Sequence, residues 1–150
     1  FIGFIGCSDA GPRAAVYDDG VLSFVVPRGW SVKCEAVLGP QVGSVRVNMV
    51  ANFEEHEYEL SEYMPAAIEL LEVVVPDFKL LSREQFVTAA NKRGEVITYT
   101  STLFGNRLRQ RQYVFDFNGK KCILSCTAPI GAGDEFDAVF NAAARTFSAK

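Results

Sequence analysis

The chain has 150 residues, a net charge of −3 at pH 7 and 49 % hydrophobic residues. These values suit one globular domain with a single sizeable core and exclude a disordered chain. No apolar run approaches the ~18 residues needed to cross a bilayer. The slight negative charge gives no general attraction to nucleic acid, so we predict no nucleic-acid partner.

The chain divides into an apolar N-terminal segment, residues 1–13, and one domain, residues 14–150. The segment begins "FIGFIGCSDA", and "CSDAGPR" resembles a hinge before the domain. We interpret it first as a docking arm that buries four apolar side chains against a surface of this domain or of a neighbour: Phe1, Ile2, Phe4 and Ile5. The second interpretation is a lipobox, "FIGC", with lipidation at Cys7.

The first half of the domain is predicted to contain several strands. Two short strands flank Asp19-Gly20, a dipeptide typical of hairpins, and "PRGW" then turns the chain. Residues 31–39 are predicted to form one strand. Residues 44–52 alternate clearly and form another, with Val45, Val47, Met49 and Ala51 on one face.

A helix follows, with Ser61 as its predicted N-cap and Pro65 early enough to be tolerated. Its apolar stripe contains Met64, Ile68, Leu71 and Val75, and Pro76 ends it.

The second half is predicted to be a meander of four strands, over residues 78–87, 95–104, 107–117 and 120–128. Gly105-Asn106 and Asn118-Gly119 form two of its turns. Asp134 is the predicted cap of a last helix that buries one side of its surface through Phe136, Val139, Phe140, Ala143 and Phe147. The element order therefore predicts an α+β fold with one largely antiparallel sheet of about six strands and helices packed against it.

The residues that catalysis usually requires do not form a recognisable set. His56 is the single histidine and lies among glutamates, so we interpret it as a surface residue. Cys122 and Cys126 are four apart on a predicted strand, ~13 Å at the usual rise, which is beyond disulfide reach. We expect free buried thiols, no catalytic residue, no metal site and no cofactor.

Charge is distributed unevenly. Charged residues between 52 and 78 are all acidic, whereas basic residues dominate between 79 and 121. Two solvated faces of opposite sign and a polarised surface that orients a charged partner are both compatible with this pattern.

The most unusual stretch is "RLRQRQYVF". On a strand, Arg107, Arg109, Arg111 and Tyr113 share one side, and Gln112 lies on the other. The chain's own glutamates or solvent provide one explanation for the three arginines. The alternative is a binding stripe for an acidic or phosphate-bearing partner, to which we assign these five residues.

The order of several motifs resembles the PsbP-like superfamily. "VLSFVVPRGW" resembles its opening strand and turn, and "VVPDFKLLSRE" its helix end and next strand. "RGEVITYTSTLFGNRLRQRQYVFDFNGKKCILSCTAP" resembles its hairpin series, with the Arg111-Gln112 pair and the "NGK" turn. "FDAVFNAAARTFS" resembles its closing helix. The resemblance covers residues 21–148.

This resemblance implies an α/β/α sandwich around an antiparallel sheet and an accessory rather than a catalytic role. Known members include the extrinsic photosystem II P subunit, a Ran-binding import factor, DcrB-type lipoproteins and chaperones for hydrophobic segments of secreted effectors. We therefore predict a non-catalytic protein-binding module, an accessory or assembly subunit of a larger complex. An exported lipoprotein and a chaperone for apolar segments are the alternatives.

The predicted location follows from these functions. An intracellular complex is favoured, since free thiols suit a reducing compartment. A membrane-anchored, extracytoplasmic location applies only if Cys7 is lipidated.

Overall fold

The structure is a computed structural model, and it describes residues 15–33, 36–117 and 119–149. Within these ranges the chain forms ten strands and two α-helices in the order β1 (Val16–Asp18), β2 (Leu22–Val25), β3 (Ser31–Lys33), β4 (Ala36–Val42), β5 (Val45–Glu55), α1 (Leu60–Val74), β6 (Lys79–Val87), β7 (Arg93–Leu103), β8 (Asn106–Phe117), β9 (Lys120–Pro129), α2 (Asp137–Arg145) and β10 (Ser148–Ala149).

Seven strands form one antiparallel sheet in the order β3-β4-β5-β9-β8-β7-β6. Helix α1 carries the chain from β5 to the far edge, where β6 begins. The meander β6 to β9 then returns, and β9 pairs with β5. β1, β2 and β10 form a separate three-stranded sheet.

Apolar side chains cover both faces of the large sheet. On one face, α2 and the small sheet enclose the main core, which includes Phe24, Met49, Phe115 and Phe140. On the other face, α1 packs Met64 and Ile68 against the strands in a second cluster. The predicted α+β sandwich, with helices on both faces of an antiparallel sheet, is confirmed.

The predicted number of strands was slightly too low. Residues 31–39 form two strands, β3 and part of β4, which pair with each other as a hairpin. Gly39 also lies inside β4, not at the end of a strand. The short alternating stretch carries the same pattern whether it runs straight or folds back, so the alternation alone did not reveal the hairpin.

Two predicted helix caps were wrong. Helix α1 begins at Leu60 with Glu59 as its N-cap residue, so Ser61 lies inside the helix. Helix α2 begins at Asp137 with Phe136 as its N-cap residue, and no side chain caps either helix. Asp134 precedes α2 in a turn. In both cases the apolar contacts of the helix, rather than a polar cap, determine where it starts.

The turn between β7 and β8 also differs from the prediction. Its two central residues are Phe104 and Gly105, because Leu103 pairs with Asn106 in the ladder. Both have positive φ, 50° and 79°, as a type I′ turn requires.

Candidate functional site

Arg111 lies at the centre of a buried polar junction between β8 and α2. Its side chain donates to Thr98 Oγ1 at 2.8 Å, to Asn141 Oδ1 at 3.0 Å and to the Tyr113 hydroxyl at 3.1 Å. The residue is only 7 % exposed. Most of its donors are therefore satisfied inside the protein.

Asp137, in the first turn of α2, neutralises this junction. Its Oδ2 accepts from Arg109 Nη2 at 2.7 Å and from Arg111 Nη1 at 3.3 Å. The Tyr113 hydroxyl donates to Asn141, and burial raises the pKa of Tyr113 well above its usual value. We name these residues of β8 and α2 the arginine–Asp137 junction.

The arginine stripe therefore divides into three parts. Arg109 and Arg111 pair with an acid of the same chain, which is Asp137 and not one of the glutamates. Arg107 is exposed and makes no ion pair with another described residue. Gln112 faces α1 and donates to the Tyr99 hydroxyl at 3.2 Å. Partner binding by the stripe stays a prediction, with Arg107 as its accessible member.

The residues predicted for the arm and for lipidation lie outside the described residues. They are Phe1, Ile2, Phe4, Ile5 and Cys7.

Lys121 is a second buried cation that the sequence analysis missed. It is fully buried on β9 and donates to the His56 carbonyl oxygen at 3.0 Å, and its Nζ lies 3.1 Å from Asp116 Oδ2. His56 is half-buried, with its ring centroid 5.1 Å from that of Tyr63. The sequence signal for this burial was the spacing of Lys121, two residues before Ile123, which places both side chains on the face of β9 that packs against α1.

An open pocket of about 590 Å³ lies beside His56, lined by Glu55, His56, Glu57, Tyr58, Gly119 and Lys120. No group of three or more His, Cys, Asp or Glu side chains that could hold a metal occurs in the part of the chain that the structure describes. The pocket thus offers mixed charge around a single imidazole.

Cys122 and Cys126 are free and buried, as predicted. Burial raises the pKa of the Cys122 thiol to about 11 and that of Cys126 well above its usual value. Both thiols are protonated at neutral pH, which makes them poor nucleophiles.

The turn between β7 and β8 exposes an aromatic ring. Phe104 is 93 % exposed, and its φ of 50° is unusual for a bulky residue. Asparagine or glycine adopts this backbone conformation at lower cost. The fold therefore gains nothing visible from phenylalanine at this position.

Helix α1 exposes apolar side chains next to this turn. Leu70, Val73 and Val74 are all more than half exposed, and Val73 reaches 81 %. The backbone N–H of Thr102, at the end of β7, donates to the Pro76 carbonyl oxygen at 3.0 Å and joins the two segments. We name the resulting patch the α1–turn surface, formed by Leu70, Val73, Val74, Leu103 and Phe104.

Acidic residues border the α1–turn surface. Glu69, Glu72 and Asp77 lie around the last turn of α1 and just beyond it, all exposed. None forms an ion pair with another described residue, and the last turn of the helix holds no basic residue. The C-terminal end of a helix carries partial negative charge, so these carboxylates lie where cations are favoured.

A smaller cleft separates α2 from the segment after β2. It measures about 390 Å³, and Trp30, Val26 and Val139 contribute to its largely apolar lining. Trp30 packs edge-on against Phe140, which holds the indole at the cleft.

Among the described residues, neither helix has the length and apolar character that a membrane-crossing helix needs.

Comparison with known proteins identifies the fold. No protein-family model and no curated protein sequence matches the chain. CyanoP, the cyanobacterial PsbP of Synechocystis sp. PCC 6803, is similar in structure with a TM-score of 0.61 and 15 % identity, over 97 % of this chain and 98 % of that one. PA94 of Pseudomonas aeruginosa, a protein of unknown function, has a TM-score of 0.68 and 16 % identity, over 92 % and 98 %.

The predicted resemblance to the PsbP-like superfamily is thus confirmed at the level of the fold.

Proposed function

We propose that this protein is a non-catalytic, protein-binding module, an accessory or assembly subunit of a larger complex, and that the α1–turn surface contacts its partner. The observation that carries the proposal is Phe104. A ring that is 93 % exposed, at φ 50°, costs the free domain conformational energy and buries no apolar area. A partner that covers the ring would supply the hydrophobic free energy that the free domain does not obtain from it.

The surroundings of Phe104 support this proposal. Leu70, Val73 and Val74 add exposed apolar area on α1, and the Thr102–Pro76 hydrogen bond joins the end of this helix to the strand end that carries Phe104. Exposed apolar patches are typical of protein-interaction sites. The elevated pKa of the buried thiols argues against Cys122 and Cys126 as nucleophiles. CyanoP, a cyanobacterial PsbP, shares the fold, and the resemblance to the PsbP-like superfamily implies an accessory role.

Site-specific photo-crosslinking tests the proposal in cells that naturally make the protein. A benzoylphenylalanine at position 104 or at position 73 is expected to crosslink to the same protein. The same group at Glu135, exposed in the turn before α2, is the matched control. Equal crosslinking from position 135, or none from positions 104 and 73, would contradict the proposal.

The arginine stripe is a second, separate proposed contact, which would take an acidic or phosphate-bearing partner. Arg107 is its accessible cation, whereas Arg109 and Arg111 contact Asp137. We expect Arg107→Glu to weaken capture of an acidic or phosphate-bearing partner and to reduce the salt dependence of that capture, without changing the crosslinking from positions 104 and 73. Unchanged capture would leave Arg107 as surface charge only.

The apolar cleft favours one alternative, a chaperone that holds a short apolar segment. Its lining includes Trp30, the single tryptophan of the chain, which reports directly on occupancy. A short apolar peptide is expected to shift Trp30 emission, and Ala142→Glu, which places a charge in the lining, is expected to abolish the shift. Ala138→Glu is the control, since Ala138 is exposed on the same helix outside the lining. An emission shift that persists in Ala142→Glu would exclude this cleft as the binding site of the peptide.

A further inference from the structure

We propose that the α1–turn surface binds a basic amphipathic helix of a partner protein. This inference rests on the proposed function and specifies the chemistry of the partner. It starts from the charges around the patch, which the fold itself leaves uncompensated.

The two ends of α1 differ in how they treat negative charge. Glu62, in the first turn, lies where the helix dipole stabilises an anion. Glu69 and Glu72 lie toward the opposite end, where the last carbonyl groups already carry partial negative charge. Asp77 lies two residues beyond Val75, the C-cap residue of α1. Free α1 is therefore destabilised locally at its C-terminal end.

The basic residues that the structure describes form no ion pair with these carboxylates. The ion pairs of the described residues involve Arg83, Arg109, Arg111 and Lys121, and none reaches α1. Lys79, at the start of β6, is the nearest base along the chain and makes no ion pair there. Arg107, which pairs with Thr102 across β7 and β8, is a second exposed base at this edge of the sheet. Against three carboxylates the two bases leave a net negative border.

The shape of the exposed side chains favours a helix as the ligand. Leu70, Val73 and Val74 form a stripe at helical spacing along α1. Such a stripe packs against a second apolar stripe, and the exposed Phe104 ring supplies a large anchor at its end. Lysine or arginine beside the partner's apolar stripe would then meet Glu69, Glu72 and Asp77.

Synthetic peptides test this chemistry on the full chain by fluorescence anisotropy. The probe is a labelled helical peptide of about 18 residues, roughly five turns, with a leucine stripe flanked by lysines. A second peptide replaces each lysine with glutamate. The lysine peptide is expected to bind at least tenfold more tightly, and its affinity is expected to fall between about 50 mM and about 300 mM salt.

Variants of the protein assign the binding to this surface. Glu69→Gln with Glu72→Gln is expected to lower the affinity for the lysine peptide at least threefold and to make that affinity less dependent on salt. The matched control removes two charges elsewhere through Glu84→Gln with Glu135→Gln, and it is expected to leave affinity unchanged. Phe104→Asn with Val73→Ser is expected to remove binding of both peptides.

The outcomes separate this inference from the proposed function. Equal affinity for both peptides, lost with Phe104→Asn and Val73→Ser, would overturn the basic partner and leave the apolar protein-binding surface intact. Equal loss of affinity in the control variant would overturn the assignment to α1. Absence of binding by either peptide would overturn this inference, while the crosslinking from positions 104 and 73 tests the proposed function separately.

Discussion

Charged side chains cluster at the arginine–Asp137 junction and around the α1–turn surface, but they are ion-paired within the chain only at the junction. At the junction, Arg109 and Arg111 contact one carboxylate of the same chain, and Arg111 is almost fully buried. At the α1–turn surface, Glu69 and Glu72 have no basic partner among the described residues and border exposed apolar side chains. The first arrangement joins α2 to the sheet, whereas the second leaves charge and apolar area available to another molecule.

This difference leads to a general criterion for the chain. A charge cluster that is buried and paired contributes to stability, and its disruption costs free energy of unfolding. A cluster that is exposed, unpaired and locally unfavourable contributes little or negative stability, so its presence is better explained by binding. Four predictions test this contrast, in decreasing order of the change in stability that each involves.

Asp137→Ala is expected to cause the largest loss of stability. It leaves the buried Arg111 guanidinium without its counter-charge, which costs about 3 kcal/mol of unfolding free energy. Urea denaturation followed by Trp30 fluorescence measures this cost. Arg107→Ala, exposed on the same strand, is the control and is expected to change stability by no more than about 0.5 kcal/mol. A loss under about 1 kcal/mol for Asp137→Ala would contradict a structural role for the junction.

Alkaline pH is expected to weaken the buried region. The folded protein holds the Cys122 proton more tightly than the unfolded chain does, because burial raises the pKa from 9.0 to about 11. This contribution to stability is full below pH 9 and is lost as the pH rises to about 11, at a rate of up to ~1.4 kcal/mol per pH unit. Burial also raises the pKa of Tyr99 from 10.0 to about 12. Its ionisation therefore lowers the free energy of unfolding further as the pH rises from about 10 to about 12.

Denaturation curves between pH 8 and pH 11 measure this effect. Cys122→Ala is expected to reduce the loss that begins near pH 9 by the share of Cys122, because Cys126, whose pKa burial also raises, contributes a loss of the same sign. A free energy of unfolding that stays constant up to pH 11 would show that the thiol does not resist ionisation in the folded protein.

Phe104→Asn is expected to stabilise the free protein by about 0.5 kcal/mol. Asparagine followed by Gly105 suits the positive φ values of this type I′ turn better than phenylalanine does, and no buried area is lost. The midpoint of urea denaturation measures this change. Phe104→Val, whose β-branched side chain suits positive φ poorly, is the control and is expected to destabilise the protein.

Glu72→Lys is expected to stabilise the free protein by a few tenths of a kcal/mol, up to about 0.5 kcal/mol, because it replaces an anion by a cation in the last turn of α1. Glu62→Lys reverses the charge in the first turn of the same helix and is expected to have the opposite sign. Thermal denaturation at low salt measures the change in stability that each of the two variants causes. Effects of the same sign would show that the helix dipole does not govern these carboxylates.

Much of the fold was predictable because alternation and helical spacing report burial. Met49 and Ala51 on β5, and Met64 and Ile68 on α1, are buried as their spacing predicted. The hairpin of β3 and β4 was missed, since alternation does not distinguish a straight strand from one that turns back. The caps at Ser61 and Asp134 were wrong, because packing and not a polar side chain sets these helix starts.

The candidate site was less predictable. The sequence identified three arginines on one face of β8, but it did not reveal that α2 brings Asp137 to two of them, which depends on tertiary packing. Phe104 was assigned to a strand and not to a turn, so its exposure was not foreseen. The clustering of acids before residue 79 was visible in the sequence, whereas the position of the Phe104 turn near the end of α1 depends on the tertiary Thr102–Pro76 hydrogen bond.

We infer that the α1–turn surface is retained for binding at a cost to the stability of the free protein. The most direct test measures two quantities on one variant, Phe104→Asn: the free energy of unfolding and the affinity for the lysine-flanked leucine peptide. We expect a more stable protein that binds the peptide at least tenfold more weakly. A variant that is less stable than the natural protein, or that binds as tightly, would contradict it.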